Sequence, residues 1–168
     1  IFDVTQVRIF LLALFDVKRK KKISHKQFVK VIKFLEQYHF AFNAICSMRP
    51  SGLERRYSSY ARKLRMCKDK NETKKCIDEL IDTLKDGLPA EEIFVSNFVN
   101  VRYTSDFSKD KKLVQYIITK YEFYNMNTNE VQPLSFTIEH IMPESIKNKE
   151  CGMLGNLLPL GDRLNSEL

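Results

Sequence analysis

Apolar residues return every three or four positions along most of this chain, and only near its end does the period shorten to two. Residues 2–15 carry Val4, Val7, Leu11 and Leu14 at helical spacing with no breaker, which predicts a helix. The run KRKKK at 18–22, set between Val17 and Ile23, reads as a cationic connector that faces water or phosphate. Ser24 and Gln27 have the spacing of a capping box and open the strongest helical pattern. Phe28, Val31, Ile32, Leu35, Tyr38, Phe42 and Ile45 form its apolar side. His25 and His39 fall in this helix without a second ligand at i+4, so they read as packed or surface residues. Pro50-Ser51-Gly52 interrupts the pattern, and Ser51 with Glu54 is expected to cap the next helix. That helix turns Leu53, Tyr57, Tyr60 or Ala61, and Leu64 inward. Further helices are predicted over 71–85 (Ile77, Leu80, Ile81, Leu84) and from Ala90 through Ile93, Phe94 and Phe98 toward Val101. A last one is predicted over 109–124, with Leu113, Tyr116, Ile117 and Tyr121 inward.

The polar stretch NMNTN at 125–129 closes the helical region. Beyond it, 133–141 alternates, with Phe136, Ile138 and His140 on one side and Thr137, Glu139 and Ile141 on the other. A polar loop at 145–152 leads to a second short extended or turn segment at 153–160. Gly161-Asp162 ends it, and Asp162 can cap a helix starting near Arg163. The predicted class is mainly α: a helical bundle over 1–129, then strand, loop, strand and the beginning of a helix over 130–168.

With 168 residues, 43% hydrophobic and 29% charged, the chain has the mix of a globular protein with a core. Its longest apolar run, 9–15, is about a third of the ~20 residues that a membrane span needs. There is no signal-peptide pattern, so a cytoplasmic location is expected. The chain starts and stops in mid-pattern and is expected to be a piece of a longer polypeptide. Cys46, Cys67, Cys76 and Cys151 make no C-x-x-C pair, which argues against a structural zinc site and for reduced thiols. The net charge of +7 is uneven: residues 1–88 hold 20 Lys and Arg against 10 Asp and Glu. Such a field attracts phosphate backbones, although solvated lysines alone would give the same count. Lys20, Lys21 and Lys22, with Arg55, Arg56, Arg62, Lys63 and Arg65 interleaved with Tyr57 and Tyr60, are the candidate nucleic-acid contacts.

Chemistry concentrates at the end. Glu139-His140-Ile141-Met142-Pro143 is followed by Gly155-Asn156-Leu157-Leu158-Pro159-Leu160 and then Asn165. Phosphodiester hydrolysis needs a base to activate water and a cation at the leaving oxygen. A free imidazole titrates near ~6.5, so His140 suits the base. Glu139 and Asn165 offer hard oxygens of the kind that Mg²⁺ or Mn²⁺ takes. Glu139 points to the opposite face from His140 in an extended chain, and reaches a shared site only if the strand twists or turns there. Asn156 is placed to hydrogen-bond backbone across the loop and fix His140. A His that merely caps a turn beside Pro143 fits the same residues.

E-H-I-x-P, G-N-L-x-x-L and a following Asn, in this order and spacing, resemble the HNH or His-Me finger nucleases. More narrowly, residues 135–168 resemble the nuclease module at the C-terminal end of GmrSD-like, modification-dependent restriction enzymes. The resemblance implies a ββα-metal finger after a helical segment. It implies His140 as general base, Asn156 as the group that orders the loop and orients the base, and Glu139 and Asn165 as ligands of one divalent ion, Mg²⁺ or Mn²⁺. It also implies cleavage or nicking of DNA to 5′-phosphate and 3′-hydroxyl ends, in defence against foreign or modified DNA. A ParB-like, nucleotide-hydrolysing domain often precedes this part in such enzymes. The chain ends just past Asn165, so the finger helix is expected to be cut short. Two other readings share these residues: a catalytically silent basic helical module that binds DNA or protein, and an RNA-cutting toxin of the same finger type.

Overall fold

The computed structural model describes residues 4–49, 51–125 and 136–161. The described residues form six α-helices followed by a two-stranded antiparallel sheet, and they divide into two units between Phe94 and Val95.

In the first unit, α1 (Arg8–Arg19) begins later and runs further than the predicted 2–15. The reason lies in its inward face. Phe10, Ala13, Leu14 and Val17 are all buried, so the helix must continue into the basic run to bury Val17. Leu11 is only partly covered, and the true connector is Lys20 to Ser24. α2 (His25–His39) starts on the Ser24–Gln27 capping box, with both reciprocal bonds made. Such a cap is worth about 1 kcal/mol. A wider π-helical turn, Phe40–Ile45, extends α2 and keeps Phe42 and Ile45 buried.

α3 (Leu53–Met66) corrects the expected cap. Gly52, at φ 92°, is the residue before the helix, and no side chain caps it. That left-handed backbone suits glycine and places Ser51 outside the cap position. Leu53, Tyr57, Ala61 and Leu64 face inward, so Ala61 and not Tyr60 completes the stripe. α4 (Lys70–Lys85) is capped by the Asp69 carboxylate, which accepts from the Asn71 and Glu72 N–H groups. α1 packs chiefly on α3, and α4 on α3 and α2. Phe10, Leu14, Tyr57, Leu64 and Leu84 are at 0% exposure in the shared core, where burying each large side chain stabilises by roughly 1.5–3 kcal/mol.

A polar chain runs from this core to the surface. Tyr57 O–H donates to His39 Nε2 at 2.9 Å, and His39 Nδ1–H donates to Asn43 Oδ1 at 2.6 Å. Asn43 Nδ2 donates in turn to the Met48 carbonyl at 3.0 Å. Burial pushes the His39 pKa down and the Tyr57 pKa up, so both groups are held neutral. His39 is thus a packed histidine.

α5 (Glu91–Phe98) ends before Val101, which is buried beyond the helix. The second unit contains α6 (Lys111–Asn125) and the sheet strands β1 (Phe136–His140) and β2 (Leu157–Gly161). The inward residues of α6 are Val114 and Ile118; Tyr121, expected inward, is 66% exposed. Val101, Ile138, Cys151 and Leu157 are the other buried apolar residues among the described residues of this unit. The four cysteines are free thiols. The polar break at 126–129 and the helix expected from Arg163 lie outside the described residues. No described helix is long and apolar enough to cross a membrane.

Candidate active site

The sequence FTIEH at β1 has the alternation and β-branching of a strand with one covered face. It pairs with β2 so that Ile138 opposes Pro159, Glu139 opposes Leu158 and His140 opposes Leu157. Pro159 costs no ladder bond that must be made, because each strand of a two-stranded sheet is an edge. Directly opposed residues share a face. Ile138 and Leu157 are buried, which places His140 on the covered face. Glu139 shares the other face with Leu158, 48% exposed. The extended pairing runs through His140, so there is no turn at Glu139 to bring the two side chains together.

Asn156 closes the loop that follows His140. Its carbonyl accepts from the Ile141 N–H at 2.9 Å. Its side-chain Oδ1 accepts from the Met142 N–H at 2.7 Å, and Nδ2 donates to the carbonyls of Met142 at 3.1 Å and Cys151 at 2.7 Å. One acceptor meets a donor and two N–H bonds meet carbonyls, which fixes the orientation of the amide. Cys151, buried, adds an Sγ contact to the Pro143 carbonyl at 3.4 Å. The loop itself contains three short 3₁₀ turns, Glu144–Ile146, Lys149–Gly152 and Leu154–Asn156.

His140 Nε2 lies 2.9 Å from the Tyr103 carbonyl oxygen and 3.1 Å from Glu144 Oε1. Both partners accept only, so Nε2 carries a proton, and the neutral form of the ring has its lone pair at Nδ1. The ring also stacks on Tyr103, with centroids 5.7 Å apart and planes at 26°. Glu144 is anchored from the same segment. The Ser105 N–H donates to Oε1 and Oε2 at 2.9 and 3.1 Å, and the Ser105 hydroxyl donates to Oε2. The Ser105 hydroxyl first, then its N–H and the neighbouring imidazole, hold the Glu144 carboxyl below its ordinary pKa.

Residues 102–104 are docked against the loop. Tyr103 N–H donates to the Gly152 carbonyl at 2.9 Å, and Arg102 bridges Met153. Gly152 permits this approach: a Cβ there would meet Thr104 Cγ2 at 2.9 Å and the Tyr103 oxygen at 3.1 Å. A cation stands close by, with Lys111 Nζ 5.5 Å from the Tyr103 ring centroid.

The structure therefore brings His140 and Asn156 into one framework. It places Glu139 across the strand, and Asn165 lies outside the described residues. Among the described residues no group of three His, Cys, Asp or Glu gathers as for a metal. The basic candidates belong to the other unit. There, Arg55, Arg62 and Arg65 are exposed and Arg56 half-buried. Lys63 lies over the Tyr60 ring at 4.6 Å and 3.9 Å from Glu79. Lys20 pairs with Asp16 at 2.6 Å, Lys22 donates to the Cys67 carbonyl at 2.5 Å, and Lys21 sits at φ 56°. Tyr103, Ser105, Glu144 and Gly152 were not singled out by sequence. Glu144 had a faint signal, a carboxylate four residues after His140 beside a proline. The others reach the site through long-range packing that no local pattern encodes.

Comparison with curated proteins and with solved structures gave no match. Residues 88–168 match the family of GmrSD restriction endonucleases, C-terminal domain. The match takes in α5, α6, the hairpin and every residue of the His140 framework. Residues 88–168 of this chain are thus similar to the C-terminal domain of GmrSD restriction endonucleases.

Proposed function

We propose that the chain is part of a metal-dependent DNA endonuclease of the HNH type, acting in the cytoplasm against foreign or modified DNA. The observation that carries this reading is the state of His140. Its Nε2–H is committed to the Tyr103 carbonyl and the Glu144 carboxylate, which leaves Nδ1 as the basic nitrogen. In the proposed reaction Nδ1 takes a proton from water and the resulting hydroxide attacks phosphorus. The bond from phosphorus to the 3′ oxygen breaks and that oxygen takes a proton from water, leaving 5′-phosphate and 3′-hydroxyl ends, while the imidazolium returns its proton to solvent. The imidazolium formed is stabilised by the Glu144 carboxylate, much as a buried carboxylate supports a catalytic His elsewhere. Asn156 holds the loop so that His140 keeps this orientation.

The carboxylate of Glu139 is chemically suited to Mg²⁺ or Mn²⁺, which is content with one or two carboxylates and waters. Glu139, with Asn165, would hold such an ion; because Glu139 faces away from His140 in the extended pairing, the ion would meet the leaving oxygen only if the end of β1 turns when metal and substrate bind. The proposed division of labour assigns this chemistry to 130–168 and substrate attraction to the basic residues of 1–129. A ParB-like nucleotide-hydrolysing domain in the same polypeptide would govern when cutting occurs.

The test is incubation of the chain with supercoiled plasmid and with structured RNA, in Mg²⁺, in Mn²⁺ and in EDTA. Metal-dependent nicking of plasmid alone supports the reading. Cleavage of RNA in place of DNA would move the site to the toxin reading. Salt-dependent binding with no cleavage in any metal would favour the silent binding module.

A further inference from the structure

A groove of about 440 Å³ runs between α2 and α4 in the first unit, away from the arginines of α3. Its floor is apolar: Val31 and Ile77 are buried, and Phe34 and Ile81 are half-covered. Its rim is cationic. Lys30, Lys70 and Lys74 line it, are exposed, and make no ion pair or hydrogen bond among the described residues. Lys70 and Lys74 are one helical turn apart on α4, so their charges stack along one wall. Asp78, Asp82 and Lys85 lie further along α4, where Lys85 and Asp82 neutralise each other at 3.2 Å. Asp78 sets one carboxylate against the cations a turn beyond Lys74, and the net positive charge lies with Lys30, Lys70 and Lys74.

We infer that this groove binds a single strand of nucleic acid, with phosphates on Lys30, Lys70 and Lys74 and a base or sugar over Phe34 and Ile81. Three like charges around one depression repel one another, and a polyanion removes that cost. Charge complementarity alone would also admit an acidic peptide. The half-exposed apolar floor favours a strand, because every base has an apolar face to lay on it and an acidic side chain has none. The volume lies in the range of small-ligand sites and accommodates a short stretch of one strand, not the width of a duplex. The inference rests on the DNA-directed reading for the identity of the polymer, and it adds a binding surface distinct from both α3 and the His140 framework.

The experiment measures binding of a fluorescent oligodeoxythymidylate to the whole chain in EDTA over a range of salt, in a His140→Ala background. Cleavage then plays no part. Each phosphate contact on a single strand contributes about 0.7 to the slope of log K against log salt. The triple variant Lys30→Gln/Lys70→Gln/Lys74→Gln is expected to lower that slope by about 2, with its circular dichroism and melting unchanged. Phe34→Ala is expected to weaken the strand several-fold at unchanged slope. Arg55→Gln/Arg62→Gln on α3 is expected to change the slope less than the groove variant. An unaltered slope in the triple variant, or a larger effect from the α3 variant, would overturn the inference. So would displacement of the oligonucleotide by polyglutamate at equal charge concentration, which would assign the groove to acidic protein. Loss of nicking in the plasmid assay with groove binding intact would sink the nuclease reading and leave this one standing.

Discussion

His140 Nε2 and the carbonyl oxygen of Tyr103 are 2.9 Å apart although 37 residues separate them in sequence. The bond fixes which nitrogen is available for chemistry. An acceptor-only partner holds the proton on Nε2, and Glu144 reinforces it from 3.1 Å. Long-range ¹H–¹⁵N spectra should therefore show the neutral ring as the Nε2–H tautomer, with Nδ1 unprotonated. A predominant Nδ1–H form would contradict the arrangement.

Asn156 makes three side-chain hydrogen bonds to the backbone of the loop. Asn156→Ala leaves those backbone groups without their partner, and a loss of about 2 kcal/mol is expected in urea unfolding. Asn156→Asp keeps the acceptor for Met142 N–H but turns a carboxylate oxygen toward the Met142 and Cys151 carbonyls. It should be at least as destabilising at pH 7. An Asp variant as stable as the native chain would show that the carboxamide does not hold the loop.

The helical part was readable in sequence where local physics decided it. The Ser24–Gln27 box and the Val31, Leu35, Tyr38 stripe needed only nearest neighbours along a helix. The start of α3 did not, because a left-handed Gly52 replaced the Ser51 cap. Tyr121 misled because an apolar ring at helical spacing looks like core wherever the helix turns it. In the site, His140 and Asn156 stood out by chemistry and spacing. Their supports, Tyr103 and Ser105 in one unremarkable loop and Gly152 in the loop after β1, are brought together only by long-range packing. Those contacts exist only once residues 102–104 pack against the loop after β1, and no periodicity announces them.

Gly152 is the point at which that packing is tightest. Gly152→Ala would put a Cβ 2.9 Å from Thr104 Cγ2 and 3.1 Å from the Tyr103 oxygen. The 102–104 segment must then give way, at a cost of roughly 1–3 kcal/mol, and the carbonyl that holds His140 moves with it. Thr104→Ser removes Cγ2 yet keeps the hydroxyl that accepts from Phe107 N–H. The double variant should recover part of the lost stability; no recovery would mean that the methyl is not the obstacle.

His39 gives the first unit a pH dependence. Burial lowers its pKa in the folded chain below that of the unfolded one. The unfolded state then binds the proton more readily, so the stabilising contribution is complete above pH ~6.5 and is lost as pH falls below that value toward the folded pKa. The urea midpoint should decline as pH falls below about 6.5, and His39→Gln should flatten that limb. An equal decline in both proteins would place the titration elsewhere.

The central claim, that His140 is the base of a phosphodiester-cleaving site, is tested most directly by plasmid nicking in Mg²⁺ or Mn²⁺ with three proteins: the native chain, Glu144→Gln and His140→Ala. General-base loss costs about 10²–10⁴-fold, so nicking by His140→Ala should fall by that factor with its melting curve unchanged. Glu144→Gln, which keeps the shape but removes the charge beside Nε2, should fall between that variant and the native chain. Nicking by His140→Ala at the native rate would contradict the account.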